Sequence, residues 1–260
     1  LRCPILRVCG PASTHAVAPA GLAAQGAAIK MGTMMQGWGG FALAVAVFLG
    51  AHVIPVRPGI KGPLVAMLGR AGFGVAYSVL STALLIWVIV AAGRAPYVAL
   101  WSPAVWQNHL ALLMMLAASL LTAYAIAGRN PFSFGSRADP FDPECPGIAG
   151  VSRHPVLLAL ALWGCAHLIA NGDMAHVLLF GMMGGFAVLG MAIIDRRKRR
   201  EWGVEVWQAR ARRTSLIPLS ALFTGRWRPS RPTVLPGVVA ASIWAALIWA
   251  HPYVIGVNPL

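Results

Sequence analysis

Six long apolar runs, parted by stretches that hold nearly all the charge, set the pattern of this chain. They lie at roughly residues 37–56, 73–93, 106–127, 155–171, 174–194 and 233–254. Each is close to the ~20 residues an α-helix needs to cross a hydrocarbon core. The pattern predicts an all-α fold, a polytopic membrane helical bundle of about six transmembrane helices. Helix punctuation agrees with it. Pro55 and Pro58 close the first run, and Pro103 precedes the third. Pro155 opens the fourth at a position where its missing N–H costs nothing. Asn171, Gly172 and Asp173 make a tight turn, so runs four and five are expected to form a hairpin.

The stretch ahead of the first run differs. Residues 1–34 hold Arg, Cys, Pro, Ala and Gly without helical periodicity and without the apolar region of a signal peptide. They are expected to be a disordered N-terminal extension or a mis-assigned start, with Met31, Met34 and Met35 as candidate starts. Residues 35–260 are expected to be one transmembrane domain.

Composition sharpens the class. Hydrophobic residues make up 58% of the chain, charged residues only 11%, and mean hydropathy is +0.70. A soluble domain carries about 25% charged residues. The net charge of +14 invites a nucleic-acid reading, but its placement argues against one. Three alternate loops carry Arg57, Lys61 and Arg70, then Arg129, Arg137 and Arg153, then eleven more between Arg196 and Arg231. Together these are 17 of the 21 basic residues. Such loops face the cytoplasm, which puts both termini on the periplasmic side. No base-reading fold accompanies the arginines, so nucleic acid is not an expected partner. Trp202, Val206 and Ala209 recur at helical spacing among them and predict an interfacial helix lying on anionic headgroups of the lipid bilayer. The loop Gly128–Arg153, with Asp139, Asp142 and Glu144, is expected to form a lid over a site on the same side. Cys3, Cys9, Cys145 and Cys165 are scattered, with no disulfide or zinc spacing.

Two histidines lie inside apolar runs, His52 late in the first and His167 late in the fourth. Ionisable groups at membrane depth are costly and mark functional sites. Metal ligation would take up the imidazole lone pair. The two runs point in opposite directions, so the Cα atoms are expected roughly 10–15 Å apart along the membrane normal. Side chains lean toward the helix N-terminus, which brings both rings toward the midplane. His109, early in run three, is a competing partner for His167, and His154 sits at the inner mouth of run four. Met114, Met115, Met182 and Met183 read as packing.

Several separated motifs then occur in order. They are Gly50-Ala-His52, Ser152-Arg-His-Pro155, Trp163-Gly-Cys-Ala-His167, Asn171-Gly, Asp195-Arg-Arg, Arg213-Thr-Ser-Leu-Ile-Pro218, Leu222-Phe-Thr-Gly-Arg226 and Ala250-His-Pro252. Over about residues 35–260 the chain resembles the NnrU family. The resemblance implies a protein of the bacterial inner membrane tied to denitrification, the reduction of nitrite and nitric oxide, with denitrification-related membrane proteins as partners. The same family includes the plant 15-cis-zeta-carotene isomerase, a heme b protein whose two axial histidines occupy the places of His52 and His167. Heme b held by His52 and His167 is therefore implied, with His109 and His154 as alternative ligands. A second implied function is heme-dependent cis–trans isomerisation of a polyene, an apolar substrate entering laterally from the bilayer. The isomerase carries a cysteine three residues before its second ligand. Here Gly164 stands there, and Cys165 lies ~100° round the helix. A third reading starts from Arg153-His-Pro155 and Thr214-Ser-Leu-Ile-Pro218, which also resemble isoprenylcysteine methyltransferases, where Arg-His-Pro contributes to the S-adenosylmethionine site. The chain departs from those enzymes at Asp195-Arg196, where a Glu pair is expected, and lacks the Tyr after Arg-His-Pro.

Overall fold

The computed structural model describes residues 20–134, 136 and 140–260, with side chains described from Gly37 onward except for Pro58. Every regular element within them is helical: α1 (Ala20–Val53), α2 (Pro58–Arg94), α3 (Val105–Ala127), α4 (Ile148–Val151), α5 (Pro155–Asn171), α6 (Met174–Trp202), α7 (Val204–Ala211), α8 (Ser220–Phe223) and α9 (Val234–Val254). Helices α2, α3, α6 and α9 are long and apolar enough to cross a membrane. Two shorter apolar helices, Gly37–Val53 within α1 and all of α5, accompany them. At 17 residues and 1.5 Å rise, α5 is ~25 Å long, at the lower end of what spans a bilayer. The result is a helical membrane bundle, as the apolar runs predict.

The helices pack in a row that departs from chain order. Helix α9 packs on α3, α3 on α5, α5 on α6, α6 on α2, and α2 on α1. The α5–α6 hairpin is the centre. Its turn is set by Gly172, which has a left-handed φ of 70°, and by Asp173, whose carboxylate accepts from the His176 N–H at 3.2 Å and caps α6. Gly164 lets the two helices touch backbone to backbone. A Cβ there would lie 2.9 Å from both Gly184 N and Phe180 O. Close approach of this kind replaces the hydrophobic drive that lipid removes. The extended segment between α2 and α3 stitches onto the same turn. Leu100 N–H donates to Gly172 O at 2.8 Å, and Trp101 Nε1–H donates to Ile169 O at 3.1 Å.

A second packed core joins α1, α2 and α6 through Phe41, Ala44 and Phe48, then Val88, Ala91 and Ala92, then Ala175, Leu179 and Phe180. The large apolar side chains Val75, Val79, Leu113, Val188 and Trp249 face outward, toward lipid.

Four features depart from the pattern-based expectation. Helix α1 starts at Ala20, inside the stretch assigned to a tail, because Ala-rich sequence favours helix without any apolar face; residues 1–19 lie outside the described residues. Helix α2 begins before its apolar run and breaks at Gly69, whose φ of 72° only glycine adopts easily. Helix α6 outruns its apolar stretch to Trp202, through a basic end that favours the helix C-terminus. The expected interfacial helix is cut by Gly203 at φ 82°, so Trp202 ends α6 and Val206 and Ala209 belong to α7.

Candidate functional site

His52 occupies the last turn of α1, and its Nδ1–H donates to the Phe48 carbonyl one turn earlier at 2.8 Å. The ring lies 4.2 Å from the Phe48 ring, 5.9 Å from Tyr77 on α2 and 6.2 Å from Phe186 on α6. His167 on α5 repeats the arrangement. Its Nδ1–H donates to the Trp163 carbonyl at 2.9 Å, and its ring lies 4.9 Å from Phe180 on α6 and 5.2 Å from Trp163. A carbonyl can only accept, so Nδ1 carries the proton in both rings. Nε2 is left with its lone pair and takes no hydrogen-bond partner among the described residues. A neutral imidazole held through Nδ1 is the ordinary state of a metal-ligating histidine. Both rings lie along α6, against Phe186 and Phe180, six residues or ~9 Å apart on that helix.

At the basic end of the bundle stands a separate, fully polar cluster. Arg153 and Asp195 are each 7% exposed. The guanidinium meets the carboxylate through NH2 at 2.7 Å and through Nε at 3.0 Å, and its NH1 donates to Thr214 Oγ1 at 3.1 Å. His154, with no exposed surface, donates from Nε2 to the other oxygen of Asp195 at 3.0 Å. The Trp207 ring lies 5.2 Å from the guanidinium carbon. Backbone ties complete the knot. Arg153 N–H donates to Ser215 O at 2.7 Å, Ser215 Oγ to Gly150 O at 2.7 Å, and Asn130 Nδ2 to Arg153 O at 2.9 Å. Trp227 lies flat on Gly150, where a Cβ would come within 2.3 Å of its ring. One carboxylate thus neutralises one buried guanidinium and joins α6 to the mouth of α5 and, through Arg153, to the segments after α3 and α7.

The family model described as NnrU protein matches residues 40–259. The chain belongs to the NnrU family. No curated protein matches it, and no solved structure does.

In this NnrU-family chain the described residues of the loop after α3 pack onto the basic end as a cover; Asp139, which the lid reading counted, lies outside the described residues. Asn130, Phe132 and Ser133 are buried, Ser136 Oγ donates to Ala125 O at 2.7 Å, and Glu144 pairs with Arg212 and Arg213. Trp202 packs its ring on Phe132 at 5.4 Å, with Lys198 and Arg210 each 4.9 Å from its centre, so it serves this cover as well as the interface. Three of the five guanidinium N–H donors of Arg153 are committed, two to Asp195 and one to Thr214.

The other two histidines lie apart. His109 is exposed near the start of α3, and His154 is buried at the start of α5. Helices α3 and α5 are antiparallel neighbours, so these residues sit at opposite ends of the bundle. His154 spends Nε2 on Asp195, and its Nδ1 is buried without a partner. Among the described residues no group of three or more His, Cys, Asp or Glu gathers as a metal site. Sequence reasoning missed Asp195 as the centre of the knot. Its signal was a lone acid at the boundary between an apolar run and five consecutive basic residues.

Proposed function

We propose that this NnrU-family protein binds heme b through His52 and His167 and serves nitrite and nitric oxide reduction in the bacterial inner membrane. The observation that carries the reading is shared by both histidines. Each lies inside an apolar helix, gives its Nδ1 proton to the carbonyl one turn back, and leaves Nε2 without a partner among the described residues. An unpaired polar nitrogen in lipid costs of order a few kcal/mol, and iron ligation offsets that cost at both rings. The donor chemistry fits heme iron, which His52 and His167 would hold: two neutral nitrogens from different helices, flanked by flat aromatic side chains.

Bound heme would supply one-electron redox chemistry, its potential set by ligand identity and the apolar surroundings. The protein's own groups do the rest. The Phe48 and Trp163 carbonyls fix the tautomer and raise the basicity of each Nε2. Phe180 and Phe186 hold the rings along α6 and keep water away from them. The role in denitrification rests on family membership. The basic end, with Arg129, Arg153 and the Arg196–Arg200 run, faces the cytoplasm in this reading.

The test is the visible spectrum of protein purified from cells supplied with heme. A Soret band with sharp α and β bands on reduction is expected. His52→Ala and His167→Ala should each lose or broaden it, and His109→Ala and His154→Ala should leave it. Absence of any Soret absorbance in the wild-type protein overturns the reading. Loss in His109→Ala with retention in His52→Ala moves the ligand pair to the outer half of the bundle.

A further inference from the structure

A lateral groove of about 560 Å³ opens between α5 and α9, with α3 as its floor. Its walls are apolar, and both hydroxyls that line it are already satisfied. Ser119 donates to Met115 O and Thr122 to Ala118 O, each at 2.9 Å. Hydrogen bonds pin α9 to α3 at both ends of the groove. Tyr124 Oη donates to Thr233 O at 2.8 Å, and Trp244 Nε1 donates to Leu112 O at 3.1 Å. The groove is therefore part of the fold and does not depend on two helices drifting apart.

Its dimensions select the occupant. It runs from Met115 to Ala127 on α3 and from Leu235 to Leu247 on α9, twelve residues or ~18 Å in each case. One leaflet of hydrocarbon is ~15 Å deep, half of a ~30 Å core. The groove thus begins at the basic end and stops just past the midplane, too short for a rigid molecule crossing both leaflets. Along that length the walls are apolar and open sideways toward lipid, as one hydrocarbon chain of a lipid requires.

The mouth adds charge. Arg129 lies five residues beyond Tyr124, and Arg231 two residues before Thr233, so the Tyr124–Thr233 hydrogen bond brings both to the basic-end opening. Both are exposed, and neither has an acidic partner among the described residues. We infer that the groove is a binding site for one anionic phospholipid, with an acyl chain lying between α5 and α9 and the phosphate between Arg129 and Arg231. On α5 the deepest wall residue is Trp163, whose ring centre lies 5.2 Å from that of His167. The lipid therefore packs against the far side of the residue that holds that imidazole.

Native mass spectrometry of the full chain, exchanged into phosphatidylglycerol or into phosphatidylcholine with the same acyl chains, tests the site. One phosphatidylglycerol retained per chain is expected, with phosphatidylcholine lost under the same activation. The exposed double variant Arg129→Gln/Arg231→Gln should weaken retention roughly thirty-fold, at about fivefold for each cation removed. Val239→Trp, at the lip of the groove, should abolish it, and Ala123→Ile replaces that variant if its thermal unfolding differs from wild type. Equal retention of the two lipids, or retention unchanged in the arginine double variant or in the groove-filling variant, overturns the inference. None of these readouts depends on heme.

Discussion

Replacing Asp195 by Asn removes the one negative charge that, among the described residues, pairs with Arg153, itself 7% exposed. Arg153 would keep its bond to Thr214 at 3.1 Å but lose charge-assisted contacts at 2.7 and 3.0 Å. His154 would lose less, because the Asn oxygen can still accept from Nε2. The cost is therefore that of a buried cation stripped of its counter-ion, about 3–5 kcal/mol. For a chain of this size each kcal/mol moves the midpoint by about 2–4 °C, so the melting temperature should fall by roughly 6–20 °C. Intrinsic tryptophan fluorescence of detergent-purified protein during heating reads the change, and Trp202 and Trp207 lie beside the knot. The sign of the coupling is the sharper test. If the penalty comes from an orphaned charge, adding Arg153→Met to Asp195→Asn should recover stability, since apolar replacement of a buried pair is often neutral or stabilising. An Asp195→Asn variant within about 1 kcal/mol of wild type would refute the reasoning. So would a double variant less stable than Asp195→Asn alone.

Other outcomes follow from single features. Gly164→Ala should cost about 1–3 kcal/mol by forcing α5 from α6, whereas Gly185→Ala, with nothing within 4 Å of the added carbon, should be neutral or slightly stabilising; chemical unfolding compares them. Reporter fusions at Pro140 and Ser220 should both give cytoplasmic signals, and a periplasmic signal at either would reverse the orientation. The spectral effects of the histidine variants and the lipid retention described above complete the set.

Hydrophobic pattern by itself determined the spans. The run at 106–127 became Val105–Ala127, that at 155–171 became Pro155–Asn171, and that at 233–254 became Val234–Val254. This works because a helix in lipid satisfies its backbone internally, so length and apolarity decide it without reference to neighbours. The Asn171-Gly-Asp turn was legible for a similar reason, since a left-handed glycine and an Asp cap are local devices. The depth of His52 and His167 could be counted from the run ends.

Tertiary structure decided the rest. The helix row α9–α3–α5–α6–α2–α1 depends on which surfaces fit, and apolar lipid-facing and protein-facing sides look alike in sequence. That His52 and His167 both lie along α6 follows from this row. The knot joins Asn130, Arg153, Asp195 and Thr214 through bonds between residues 23 to 61 positions apart along the chain. Among the described residues Arg153 pairs with one carboxylate, that of Asp195, yet seven acidic residues occur in the chain. No local rule chooses among them. The choice is made where α6 leaves the apolar core and sets Asp195, the first residue beyond its apolar run, level with the mouth of α5. There a buried guanidinium must find a counter-charge, and only the folded chain supplies one.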